Sequence, residues 1–146
     1  MIDDIYNKDV LRLAGNIGRV GRLEDPDVSV TRTAPLCGSG IAVDLGIEDG
    51  AVTDYAQEIK ACALGQAAAS VVAEHVIGAD LTELGALRDQ MAAMLAGDGP
   101  PPGGKWAALA ALAPARSATS RHGAIMLAVE ATIEALEEAT VTTGAA

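Results

Sequence analysis

The chain has 146 residues, half of them apolar, a formal net charge of −10, and an aromatic content of 2 % with no Phe. That length suits one ordinary domain over residues 1–146, with a core built from Ala, Val, Leu, Ile and Met. The acidic balance excludes a phosphate-backbone partner, which needs clustered Lys and Arg, and no apolar run reaches the roughly 18 to 20 residues that span a bilayer.

The first predicted element is a loose amphipathic helix in "DDIYNKDVLRLA", with Ile2, Ile5, Val10, Leu11 and Ala14 on its apolar side. This acidic, polar start resembles neither a signal nor a transit peptide, so a cytoplasmic chain is expected. "GNIGRVGRLEDPD" interrupts regular structure with its glycines and proline. A phosphate-loop reading of this stretch fails, because no strand precedes it and no Lys-Ser/Thr follows it. "VSVTRT" then alternates as a half-buried strand does, "IAVDLGI" puts Ile41, Val43, Leu45 and Ile47 on one face, and "AVTDYAQEI" returns after the turn signal "EDG". Residues 28–59 therefore predict three short antiparallel strands. Asp44, Glu48 and Asp49 form no paired acid site and read as a solvated hairpin.

From Cys62 the pattern turns helical. "CALGQAAASVVAEHVIG" is small and apolar, and its His75 reads as a surface residue beside Glu74. Asp80 and Glu83 resemble an N-cap with its capping-box partner, opening "LTELGALRDQMAAML". "AGDGPPPGG" is an irregular loop, and "KWAALAALA" predicts a short helix ending at Pro114, with Trp106 in the core. "RHGAIMLAVEATIEALEEA" is the last helix. Strands first and helices afterwards predict an α+β fold: a three-stranded antiparallel sheet with helices packed on one face.

Two cysteines are too few for a disulfide framework and are expected as thiols. Cys37 lies in "APLCGSG", between a proline and glycines, where successive backbone N–H groups can converge on an anion. Cys62 lies where the helical pattern starts, where orphan N–H groups and the helix dipole favour negative charge. Together they could hold a metal or sulfur. Their spacing fits no CxxC zinc rule, and free cysteines are often small buried hydrophobes. No Ser-His-Asp order and no nucleotide fingerprint is present, so the chain reads as a binding protein and not an enzyme.

Four stretches, in order, carry a resemblance. "APLCGSGIAVDLGIEDGAVTDY", "KACALGQAAAS", "LAALAPARSATSRHGAIMLAVEAT" and the short "AGNIGRVG" resemble the segments of the iron–sulfur cluster assembly scaffold family, the NifU amino-terminal domain with its IscU and SufU relatives. The resemblance covers about residues 5 to 138. It implies a scaffold, of the IscU/SufE-like fold, that takes sulfur from a cysteine desulfurase, binds iron, zinc or a nascent Fe–S cluster, and passes the cluster to apo-protein acceptors. By the same resemblance Cys37 and Cys62 hold the metal and the fold gathers the cysteine positions at one end of the molecule. The departures are specific. The family's third cysteine falls at Ala124, its histidine at Gly123 and its aspartate at Ser39, while Arg121 matches its basic residue.

His122, one residue from the family position, is a candidate third ligand; a solvated or capping histidine is the other reading. A tetrahedral zinc or a [2Fe–2S] cluster wants four donors, so a partner, small thiols or a second subunit in a homodimer would complete the shell. The alternative is a family member that keeps the fold as a non-metal-binding interaction module or a sulfur relay for the desulfurase.

Overall fold

The structure, a computed structural model, describes residues 2–34 and 38–144, with side chains described for 4–34 and 38–140. Helix α1 (Ile2–Ile5) and helix α2 (Lys8–Gly15) replace the single predicted amphipathic helix. The break is at Asn7, whose side chain accepts the N–H of Val10 at 2.9 Å as an N-cap. The cap sets the rotation of α2, so Val10 is buried while Leu11 is 54 % exposed, against the expectation that both face inward.

Strands β1 (Val28–Ala34), β2 (Ser39–Glu48) and β3 (Ala51–Lys60) form one antiparallel sheet in that order. The turn between β2 and β3 has Asp49 at φ 54° and Gly50 at φ 78°, the left-handed pair that matches the twist of a two-residue hairpin. Ile41, Val43 and Leu45 are buried on the inner face as alternation requires. A bulge between Gly46 and Ile47 then shifts the register, and Ile47 is only partly buried.

Helix α3 (Ala63–His75) lies against β3, and helix α5 (His122–Gly144) lies against β1 and β2. Helix α3 also packs on α2 and α5, and it is buried almost all round from Leu64 to Ala73. Its Ala, Gly and Ser residues let those neighbours come close, which compensates for the lack of large aromatics. Helix α4 (Leu81–Ala96) starts at Asp80, whose carboxylate accepts the N–H of Glu83 at 2.9 Å. Glu83 does not complete the capping box. Its carboxylate accepts the indole N–H of Trp106 at 3.0 Å and pairs with Lys105 at 3.0 Å. His75 is half-buried, with its ring edge-on to Trp106 at 6.0 Å.

The segment predicted as a short helix ending at Pro114 is a 3-10 helix over Gly104–Ser117, with Pro114 inside it. The residues explain it. Trp106, Leu109, Leu112 and Ala115 recur every third position and are all buried, matching the three-residue turn of a 3-10 helix and not the 3.6 of an α-helix. A second short 3-10 turn, Thr119–Arg121, leads into α5.

The free edge of β3 is covered by the glycine-rich segment. Val20 pairs with Gln57 in parallel, Gly21 donates to the Gln57 carbonyl at 2.8 Å, and the Gln57 N–H donates to Arg19 at 2.9 Å. The chain then crosses the outer sheet face toward β1. Asp44 anchors that crossing, and it is not solvated as the hairpin reading expected: it is 1 % exposed. Its carboxylate accepts both prongs of Arg22 at 2.8 Å, the Ser29 hydroxyl at 2.7 Å and the Leu23 N–H at 3.0 Å. Alternation could not reveal this, because what covers Asp44 is an irregular segment some twenty residues upstream.

Candidate cysteine end of the sheet

Cys62 is the N-cap of α3, in extended conformation at φ −67° and ψ 171°. Its carbonyl accepts the N–H of Gln66 at 3.0 Å, its side chain makes no capping hydrogen bond, and it is partly buried against the core. One turn on, Gly65 has no room for a side chain. A Cβ there would sit 2.8 Å from the Cβ of Ala61, 3.1 Å from the carbonyl oxygen of Ala124 and 3.3 Å from the Cβ of Ala124. The glycine therefore lets the start of α5 lie directly on the first turn of α3.

The neighbouring residue of α5 reaches the sheet. A Cβ on Gly123 would lie 3.2 Å from the Cβ of Ala34, the last residue of β1. So the starts of α3 and α5 and the end of β1 meet at one end of the molecule. Cys37 itself lies outside the described residues, which stop at Ala34 and resume at Gly38. Those two flanking residues are in contact: the Gly38 N–H donates to the Ala34 carbonyl at 3.0 Å, and Gly38 sits at φ 68°. Ser39, where the resemblance places an aspartate, is 4 % exposed.

His122 is the first residue of α5, and its Nε2 lies 3.0 Å from the carbonyl oxygen of Ala115. A carbonyl can only accept, so this contact assigns the proton to Nε2 and leaves the lone pair on Nδ1. Ala124, at the position of the missing thiolate, is 1 % exposed. Neither α3 nor α5 has an acidic residue in its first turn, so the positive ends of both helix dipoles face this end of the fold without an internal counter-charge. Among the described residues no group of three or more His, Cys, Asp or Glu is placed to hold a metal ion. With Cys62 alone described, the donors on this side are one thiol and one imidazole nitrogen.

A cavity of about 660 Å³ lies elsewhere, between the β2–β3 turn, the start of β1 and the late turns of α5, with Asp27, Asp49 and Glu138 at its rim. Among the described residues no helix is long and apolar enough to cross a membrane. Gly65 was missed by sequence reasoning. Its signal was available: a glycine inside an alanine-rich helical run costs stability unless a close neighbour requires it.

Comparison with known proteins gives a consistent result. The model of the NifU-like N terminal domain matches residues 5–136. A curated relative, the iron-sulfur cluster assembly scaffold protein IscU of Thermotoga maritima, is 31 % identical over 94 residues, which cover 64 % of this chain and 66 % of that protein. The chain thus spans just under two thirds of that relative's length. The crystal structure of a nitrogen-fixing NifU-like protein (N-terminal) from Brucella abortus superposes with a TM-score of 0.93 at 45 % identity, over 97 % of this chain and 99 % of that one. A protein described as an iron-sulfur cluster assembly scaffold of the SUF system, from Fervidobacterium islandicum AW-1, shares the fold with a TM-score of 0.81 at 17 % identity, over 92 % and 98 %.

Proposed function

The chain belongs to the NifU-like N-terminal domain family, and on that premise we propose that it is an iron–sulfur cluster assembly scaffold, carrying iron or a nascent cluster on Cys37 and Cys62. The observation that supports this reading most is the meeting of the end of β1, Cys62's helix start and the start of α5, through the contacts of Gly123 with Ala34 and of Gly65 with Ala124. His122 joins through Nδ1 as the third donor. Iron and zinc both accept thiolate and imidazole ligands, so this donor set suits either. The metal or cluster is cargo and not a resident cofactor. A shell of two thiolates and one imidazole, completed by a small thiol, a partner or a second copy of the chain, holds it loosely enough to hand on. The protein binds and presents its cargo without catalysing a reaction. A cysteine desulfurase supplies the sulfur, and apo-proteins accept the product.

One observation favours a second reading. Ala124 places a buried methyl where the resemblance expects a thiolate, and a family member that had left metal chemistry would look the same there. It would serve as an interaction module or a sulfur relay. Anaerobic incubation with ferrous iron and sulfide, followed by visible absorption and metal analysis, separates the two. The scaffold reading expects bound iron and thiolate-to-iron absorption that Cys37→Ser and Cys62→Ser each abolish. Iron that stays bound in both of these variants, or that the native chain never retains, replaces it with the second reading.

A further inference from the structure

Away from the cysteine end, a groove of about 480 Å³ opens between the end of α2, the Gly18–Arg19 segment and the later turns of α3, lined by Arg12, Leu13, Asn16, Arg19, Ser70 and Glu74 among others. Ser70 stands eight residues after Cys62 in the same helix, about 12 Å along its axis, so the groove is separate from the cysteine end.

Ser70 is the unusual member. It is 4 % exposed. Its hydroxyl has no hydrogen-bond partner among the described residues, although a helical serine can always return its proton to the preceding turn, as Thr132 and Thr140 do in α5. No fully enclosed side-chain oxygen or nitrogen among the described residues lacks a partner. The Ser70 hydroxyl therefore spends its small exposure on the groove it lines. A nearly buried polar group left unpaired is costly unless something binds it.

Arg19 supplies the charge. Its backbone sits at φ 54°, a conformation that non-glycine residues rarely adopt. Its Nε donates to the Ala73 carbonyl at 2.9 Å, which pins the guanidinium against α3. Its two terminal nitrogens have no partner among the described residues. Arg12 stands on the same wall, tied to Asp9 at 3.1 Å. In a chain with twenty acidic side chains against ten basic ones, two arginines beside one groove are a local concentration of positive charge. Asp9 beside Arg12 and Glu74 on the rim offset the two positive charges, so the open guanidinium of Arg19 suits a single negative charge and not a dianion.

We propose that this groove binds a small carboxylate, with its two oxygens on the fork of Arg19 and the Ser70 hydroxyl donating to one of them. The test is an NMR titration of the full isotope-labelled chain at neutral pH and fixed ionic strength, with sodium acetate, inorganic phosphate and sodium chloride as separate probes. Acetate is expected to shift the amides of Gly18, Arg19, Ser70 and Glu74 saturably. Ser70→Ala, a change of one atom in a helix, is expected to weaken that binding by about five- to tenfold. Arg19→Lys keeps the charge but loses the fork and is expected to weaken it similarly. Neither variant is expected to alter iron retention, so failure here is distinct from failure of the scaffold reading. The proposal is overturned if acetate produces no more than chloride does, if both variants bind as the native chain, or if phosphate binds more tightly than acetate.

Discussion

Arg22 and Asp44 form a two-pronged ion pair across the outer face of the sheet, Nε to Oδ2 and Nη2 to Oδ1, both at 2.8 Å. The pair joins an irregular segment to the middle strand, with the carboxylate buried and the guanidinium half exposed. The hydrogen bonds from Arg22 hold the Asp44 carboxyl down, to about 2 from an ordinary 3.8, with Ser29 and Leu23 adding to the effect and burial opposing it.

The first prediction is a stability that depends on this carboxylate. Because its folded value lies below its unfolded one, the contribution is fully present above about pH 4 and is lost as the pH falls through 3.8 toward 2. The shift corresponds to on the order of 2 kcal/mol, and solvent around the half-exposed Arg22 trims that to about 1–2 kcal/mol. Asp44→Asn is expected to lower the unfolding free energy at pH 7 by that amount, read as a lower urea midpoint, and to flatten the acid limb between pH 4 and 2. An unchanged midpoint would show that the crossing segment holds without its anchor.

Gly65→Ala is expected to destabilise the chain by about 1–3 kcal/mol, because the added methyl meets the backbone of Ala124 and cannot be relieved by a rotamer. The clash distances of 2.8 and 3.1 Å fall on Ala61 and on that carbonyl oxygen. Thermal unfolding checks the loss. Iron retention in the same variant is expected to fall as well, since α5 is pushed off the start of α3. A variant as stable as the native chain would mean that the two helix starts are not held in contact.

Ala124→Cys restores a soft anionic donor at the position the family resemblance marks. It is expected to tighten zinc or iron binding by more than about tenfold, since a complete set of structural zinc ligands is worth on the order of 10 kcal/mol. Ala128→Cys, one helical turn on and equally buried, is expected to do nothing. His122→Ala is expected to weaken metal binding in the native background, by removing Nδ1. Anaerobic metal titration of the three variants reads all of this. If Ala124→Cys binds no better than the native chain, the position is not part of the site.

Gln57 is fully buried, and its amide donates to the carbonyls of Gly18 at 3.0 Å and Ala69 at 3.3 Å while accepting from the Tyr55 hydroxyl at 3.2 Å. Burial raises the Tyr55 phenol well above its ordinary value, so it stays a neutral donor. Gln57→Leu is expected to cost about 2–3 kcal/mol through orphaned partners. It is also expected to speed amide exchange at Gly21, whose N–H is bonded to residue 57 itself. Slow exchange there in a stable variant would remove the glutamine from its tying role.

Much of this molecule follows from local pattern. The alternation of Ile41, Val43 and Leu45 determined the inner face of β2, and the Asp-Gly turn determined the hairpin, because a strand's period and a left-handed turn are properties of adjacent residues. Asp80 was legible as a cap for the same reason. The ordered segments around Cys37, Cys62 and Ala124 also carried the resemblance to the NifU-like family, which the family match over residues 5–136 bears out. What the chain could not state locally was decided by contact at a distance. Asp44 is buried because residues 21–27 fold back over it. Gly65 is required because α5 begins against it. Ser70 lines a groove because α2 and Arg19 close the other wall. In each case a side chain's environment is set by residues far away in sequence. The physical reason is that burial and pairing depend on which surfaces meet, and periodicity records only which face of its own element a residue occupies.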